Sequence, residues 1–122
     1  MENEQIPCLN AGFLVVFPEN ANIPLLKQQL PPDAVFDYYP DSIYATVAEV
    51  KDYYDWEIDV VLTKLFSLCD LEHISEITKM FGGSVHIGIW YYSYGAHPAI
   101  ILEGENMSII HKLKANLSIE AY

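Results

Sequence analysis

Arginine is absent from this chain, and its only cations are 6 lysines set against 17 aspartates and glutamates. Arginine is the preferred side chain for bidentate phosphate and guanine contacts, and a nucleic-acid backbone must be met by clustered cations. A formal charge of -11 therefore argues against direct nucleic-acid binding and against attachment to an anionic membrane surface. Cysteine is equally scarce. Cys8 and Cys69 are the only two, too few for a disulfide scaffold, and both are read as free thiols. No apolar run approaches the ~20 residues that span a bilayer. Met1 to Pro7 is acidic and polar, without the positive region of a signal peptide, so the expected compartment is the cytoplasm.

Chemical motifs are missing too. Histidines 73, 86, 97 and 111 are scattered, and neither HExxH nor CxxC occurs, so no metal ligand set is expected. His73 falls near a helix start and is expected on the surface. Ser84, Ser93 and Ser108 lie outside any GxSxG elbow, and Gly82-Gly83 is followed by no GK[ST]. Asp55, Glu57 and Asp59 alternate as in a calcium loop, but Val60 and Phe66 stand where its glycine and closing glutamate belong. The reading assigns no catalytic residue, no metal and no cofactor.

What remains is ample material for a core. With 122 residues and 52% hydrophobic content, one domain spanning the whole chain is expected, with residues 1–10 mobile. Gly12 to Phe17 is a continuous apolar run closed by Pro18, the pattern of a buried central strand. Asn20 is placed as the cap of a helix over Ile23 to Leu30, stopped by Pro31 and Pro32. Strands are expected near Ala34 to Tyr38 and Ile43 to Val50. From Asp55, the residues Ile58, Val61, Leu62, Leu65, Phe66 and Cys69 fall on one helical stripe. Asp70 caps a second helix over Leu71 to Phe81, which Gly82 and Gly83 end. Ser84 to Tyr92 alternates, with Val85, Ile87, Ile89 and Tyr91 on one face and His86, Gly88, Trp90 and Tyr92 on the other. After a turn at Ser93 to Pro98, Ala99 to Leu102 is read as an antiparallel partner strand. Asn106 then caps a helix to about Leu117, and Ser118 to Tyr122 closes as a strand. The fold class is α+β: a mixed, mainly antiparallel sheet with helices on one face, in a ferredoxin-like, pseudo-duplicated arrangement.

The second half, with its helix ending in Phe81-Gly82-Gly83, the segment NMSIIHKLKANLS and the terminal SIEAY, resembles an uncharacterised bacterial family of short α+β domains. The small, acidic, arginine-free character resembles immunity proteins that neutralise bacterial toxins. That second resemblance implies a cytoplasmic inhibitor whose partner is a cognate toxin, often a basic nuclease.

The segment Asp33 to Asp59 holds eight carboxylates, five tyrosines and Trp56, with Lys51 its only cation. Dense like charge speeds encounter with a basic protein, and aromatic rings supply rigid contact area. Asp37, Asp41, Asp52, Tyr53, Tyr54, Asp55, Trp56, Glu57 and Asp59 are therefore the candidate partner-binding residues. A DNA-mimicking inhibitor of a host nuclease would use the same features. His86, Trp90 and Tyr92 form a separate candidate pocket, which a small ligand-binding domain or enzyme would use.

Overall fold

A computed structural model describes residues 8–53, 57–92 and 100–121, with only the backbone at 52 and 53. The elements run β1 (Cys8–Pro18), α1 (Ile23–Gln29), β2 (Val35–Tyr38), β3 (Ser42–Tyr53), α2 (Ile58–Ser67), α3 (Leu71–Met80), β4 (Ser84–Tyr92), α4 (Gly104–Leu113) and β5 (Asn116–Ala121). The five strands form one sheet in the order β2-β3-β1-β4-β5. All neighbours are antiparallel except β4 and β5, which run parallel. Read from the other edge, the first four strands stand in the order 4-1-3-2, fully antiparallel with helices between, which is the ferredoxin-like pattern. The crossover helix α4 adds β5 outside it.

Alternation in the strands decides which face the helices cover. Leu9, Ala11, Phe13, Val15 and Phe17 of β1 and Val85, Ile87, Ile89 and Tyr91 of β4 are all buried. They join one cluster with Leu26 of α1, Ile58, Val61, Leu62, Leu65 and Phe66 of α2, and Ile74 and Ile77 of α3. Phe13 meets Phe66 edge-on at 6.2 Å, and Phe17 meets Phe81 in the same way. A register shift opposite Phe13 and Leu14 leaves Val47 without a partner on β1, and this bulge keeps both Val47 and Val50 in the core. Cys69 lies beside the cluster with its Sγ 3.6 Å from the Leu65 carbonyl, and burial pushes its thiol up to about 11. Neither cysteine forms a disulfide.

Helix ends follow local chemistry closely. Asp70 accepts from the His73 N–H at 3.2 Å, as its sequence position predicts. Gly82 adopts φ 68, and the Gly83 N–H closes on the Thr78 carbonyl at 2.8 Å. A Cβ on Gly83 would stand 2.9 Å from the Val16 carbonyl, so the turn after α3 also needs glycine for close approach.

Five expectations are corrected. Asn22, not Asn20, caps α1, its Oδ1 accepting from the Leu25 N–H at 3.2 Å. Residues 100–102 form no strand, because both sides of β4 are already taken by β1 and β5; Ile100 and Ile101 are 57% and 66% exposed. Asn106 lies inside α4 rather than capping it. That helix starts one turn earlier than expected and ends at Lys114, a left-handed residue with φ 52, which lets β5 begin at Asn116. His73 is half-buried, its Nε2 2.8 Å from the Gln29 carbonyl, so it satisfies the open end of α1 instead of facing water. β1 begins at Cys8, inside the stretch expected to be mobile. Among the described residues no helix is long and apolar enough to cross a membrane.

Candidate functional site

All four helices lie against one face of the sheet, so the opposite face is free of described helices. Strand register puts its residues in rows. Asn10 of β1 stands beside Trp90 of β4, which pairs with Glu120 of β5. The next row holds Glu49, Gly12, Gly88 and Ser118, followed by Thr46, Leu14, His86 and Asn116, and then Tyr44, Val16 and Ser84, with Asp37 of β2 beside Tyr44. Leu14, Val16, Tyr44, His86, Trp90 and Tyr92 are half-buried, while Asp37, Glu49 and Glu120 are exposed around them. The face is thus an apolar and aromatic centre with carboxylates on three sides.

Its central feature depends on two glycines. Gly12 and Gly88 are direct cross-strand partners, and the missing side chains open a trough across two strands. The Trp90 indole lies in it. A Cβ on Gly88 would stand 2.6 Å from Cη2 and 2.8 Å from Cζ2, and one on Gly12 would stand 3.4 Å from Cζ3. The ring therefore lies over the backbone of Gly88 and beside that of Gly12, with one side against the sheet. Of the candidate pocket residues His86, Trp90 and Tyr92, the indole fills the trough itself. Tyr39 packs edge-on against Tyr44 at 4.9 Å and extends the aromatic surface toward β2.

The candidate partner-binding residues are spread along the sheet. Asp37 lies on the open face, and Asp41 is exposed in the turn before β3, its Oδ1 accepting from Ser42 Oγ at 3.3 Å. Asp52 and Tyr53 end the same strand, so Asp41 and Asp52 are separated by about 35 Å of extended chain. Tyr54, Asp55 and Trp56 lie outside the described residues. Glu57 is the exposed N-cap residue of α2. Asp59 is engaged within the fold: its Oδ1 accepts from the Glu103 N–H at 2.8 Å and from Asn106 Nδ2 at 2.9 Å. Asn106 is 3% exposed, and its Nδ2 also meets the Asp59 carbonyl and Thr63 Oγ1. This cluster joins the start of α2 to the start of α4.

Sequence reading passed over Gly12, Leu14, Val16, Tyr44 and Glu120 as face residues. The Gly12 to Phe17 run reads as apolar on both sides, and only strand register shows Gly12 opposite Gly88. One pairing has chemical interest: Ser84 Oγ and His86 Nε2 are 3.0 Å apart. A Ser–His pair needs an orienting acid and an oxyanion hole to act as a nucleophile. Among the described residues no carboxylate bonds His86 Nδ1, and no cluster of three or more His, Cys, Asp or Glu could hold a metal ion.

Comparison with known proteins returns no matching family model, curated protein or solved structure.

Proposed function

We propose that this chain is a cytoplasmic binding protein that inhibits a basic partner, of the kind represented by immunity proteins against bacterial toxins. The observation that carries the reading is the sheet face that no described helix covers, with the Trp90 ring over its two central strands and Asp37, Glu49 and Glu120 around it. Five strands about 4.8 Å apart, over rows covering about 20 Å, give a face of about 500 Å² in projection. A standard interface takes about 800 Å² from each partner, so the face supplies its centre and the surrounding acids its rim. Trp90 acts as the anchor, since a ring already immobilised loses little entropy on contact. The carboxylates steer a basic partner and fix its orientation, while the 17-to-6 excess of acids over lysines repels acidic competitors. Glu57, exposed at the start of α2, adds a further carboxylate to the acidic surface.

The test is co-purification of the tagged chain from its native host at low salt, followed by identification of bound proteins. A single basic partner, released by salt and lost with Trp90→Ala or with Asp37→Lys and Glu120→Lys together, supports the reading. A partner retained undiminished by all of these variants would remove this face from the interface. The Ser84–His86 contact favours a second reading, a small hydrolase. Turnover of ester substrates abolished by both Ser84→Ala and His86→Gln would establish it in place of the inhibitor.

A further inference from the structure

Half of the chain's cations stand around one small cavity. A space of about 230 Å³ at the ends of α3 and α4 is lined by Lys79, Lys112 and Lys114 together with Ser75, Thr78, Gly83 and Ser84. Among the described residues no carboxylate lines it. In a chain with 17 acids and 6 lysines, each lysine would be expected to find an acid, yet among the described residues none of these three pairs with one. Lysines in the last turn of a helix do complement its dipole, and Lys79 and Lys112 hold such positions. That role is insufficient to account for the cluster. Two helix ends contribute about half a negative charge each, roughly one in all, against three ammonium groups. A local excess of about two positive charges remains, on a protein whose other residues sum to -14 (17 acids against the 3 remaining lysines).

We propose that this cavity binds a small phosphate-bearing molecule. Three separate ammonium groups without a guanidinium suit a compact, multiply charged tetrahedral anion better than a planar carboxylate, for which arginine's fork is the matching shape. Ser75 Oγ has no hydrogen bond among the described residues and is free to donate. The Thr78 hydroxyl proton is committed to the Ile74 carbonyl at 2.7 Å, so Thr78 shapes the wall. At about 230 Å³ the space is below the ~300–1,000 Å³ of sites for drug-sized ligands, which favours one phosphate group with a small remainder over a nucleotide. Distant carboxylates do not cancel the site, because charges are screened beyond ~8 Å at physiological ionic strength. The cavity lies at the Ser84 end of β4, about 20 Å along the strand from Trp90, so this inference stands apart from the proposed function.

The experiment is a titration of the full chain with sodium phosphate at constant ionic strength, balanced with sodium chloride, followed by amide NMR shifts. Saturable shifts confined to residues 75–85 and 112–115 are expected. Lys79→Gln with Lys112→Gln should weaken the apparent affinity about tenfold or more, a change of at least about 1.4 kcal/mol. Lys114→Asn removes the third charge while keeping a residue that tolerates the left-handed conformation, and it should weaken binding without loss of fold. Lys27→Gln and Lys51→Gln, remote from the cavity, should leave it unchanged. Shifts that rise linearly without saturation, or that persist equally in the Lys79/Lys112 variant, would overturn the proposal.

Discussion

Replacing Gly88 by alanine tests whether the Trp90 platform is held as described. The new Cβ would lie 2.6 Å and 2.8 Å from indole carbons that normally approach no closer than van der Waals contact. The ring must therefore move by about 1 Å or leave the trough, and overpacking of this kind costs typically ~1–3 kcal/mol. Against this, alanine in a strand interior gains about 0.5–1 kcal/mol over glycine by restricting the unfolded chain. Gly88→Ala should therefore destabilise the protein by about 1 kcal/mol at mid-range and by no more than about 2.5 kcal/mol, the difference of the two terms. In a Trp90→Ala background the clash is gone and only the glycine term remains. There the same substitution should stabilise by about 0.5–1 kcal/mol. The sign change makes a double-mutant cycle decisive, with a coupling of about 2 kcal/mol. Urea unfolding of the four proteins measures it, and Trp90 emission in a Trp56→Phe background should shift to the red in Gly88→Ala as the ring gains water. Gly12→Ala serves as a graded control, since its Cβ would stand at 3.4 Å from the indole and should perturb it less. If Gly88→Ala has the same sign and size in both backgrounds, the trough does not hold the ring.

Other consequences are as direct. Asp59→Ala removes the acceptor of the Glu103 N–H and one of the three acceptors around buried Asn106 Nδ2, and should cost about 1–2 kcal/mol in chemical unfolding; adding Asn106→Leu should cost less than the sum of the two single changes. Additive costs would show that the two residues are not one network. The buried Tyr91 hydroxyl has no hydrogen-bond partner among the described residues, so Tyr91→Phe should raise stability by up to about 1–2 kcal/mol, and a loss of that size would show that the hydroxyl is satisfied in solution. The Cys69 thiol is raised from 9.0 to about 11 by burial, so the folded state holds its proton where the unfolded state releases it. That contribution is complete below pH 9.0 and is lost as pH rises toward about 11. Cys69→Ala should flatten the alkaline fall in unfolding midpoint over this window, and Cys69 should resist alkylation near pH 8, close to the ~8.5 at which an ordinary thiol ionises.

Apolar spacing carried much of this fold by itself. The stripe from Ile58 to Cys69, the Asp70 cap, the Gly82 stop and the alternation from Val85 to Tyr91 follow from interactions within a few residues, and such interactions are written locally. The α+β class follows from the same pattern, as does the central place of β1. The start of α4 was not legible, because Asn106 reads as a cap and becomes an interior residue only when Asp59, 47 positions away, supplies its acceptors. Residues 100–102 read as a strand because they are apolar, yet strand formation needs a free edge, and β5 had taken the one beside β4.

Charge and the missing motifs were sequence properties, and they pointed toward a binding protein and away from a nucleic-acid partner. Which residues share an open sheet face was decided in three dimensions. Alternation shows that His86, Gly88, Trp90 and Tyr92 share a face but not whether helices cover it, since coverage depends on the side to which every crossover returns. The acidic segment looked like one patch, and an extended β3 draws its two ends apart. Likewise Lys79, Lys112 and Lys114 are ordinary helix-end lysines in sequence, and only the fold brings the ends of α3 and α4 around one cavity.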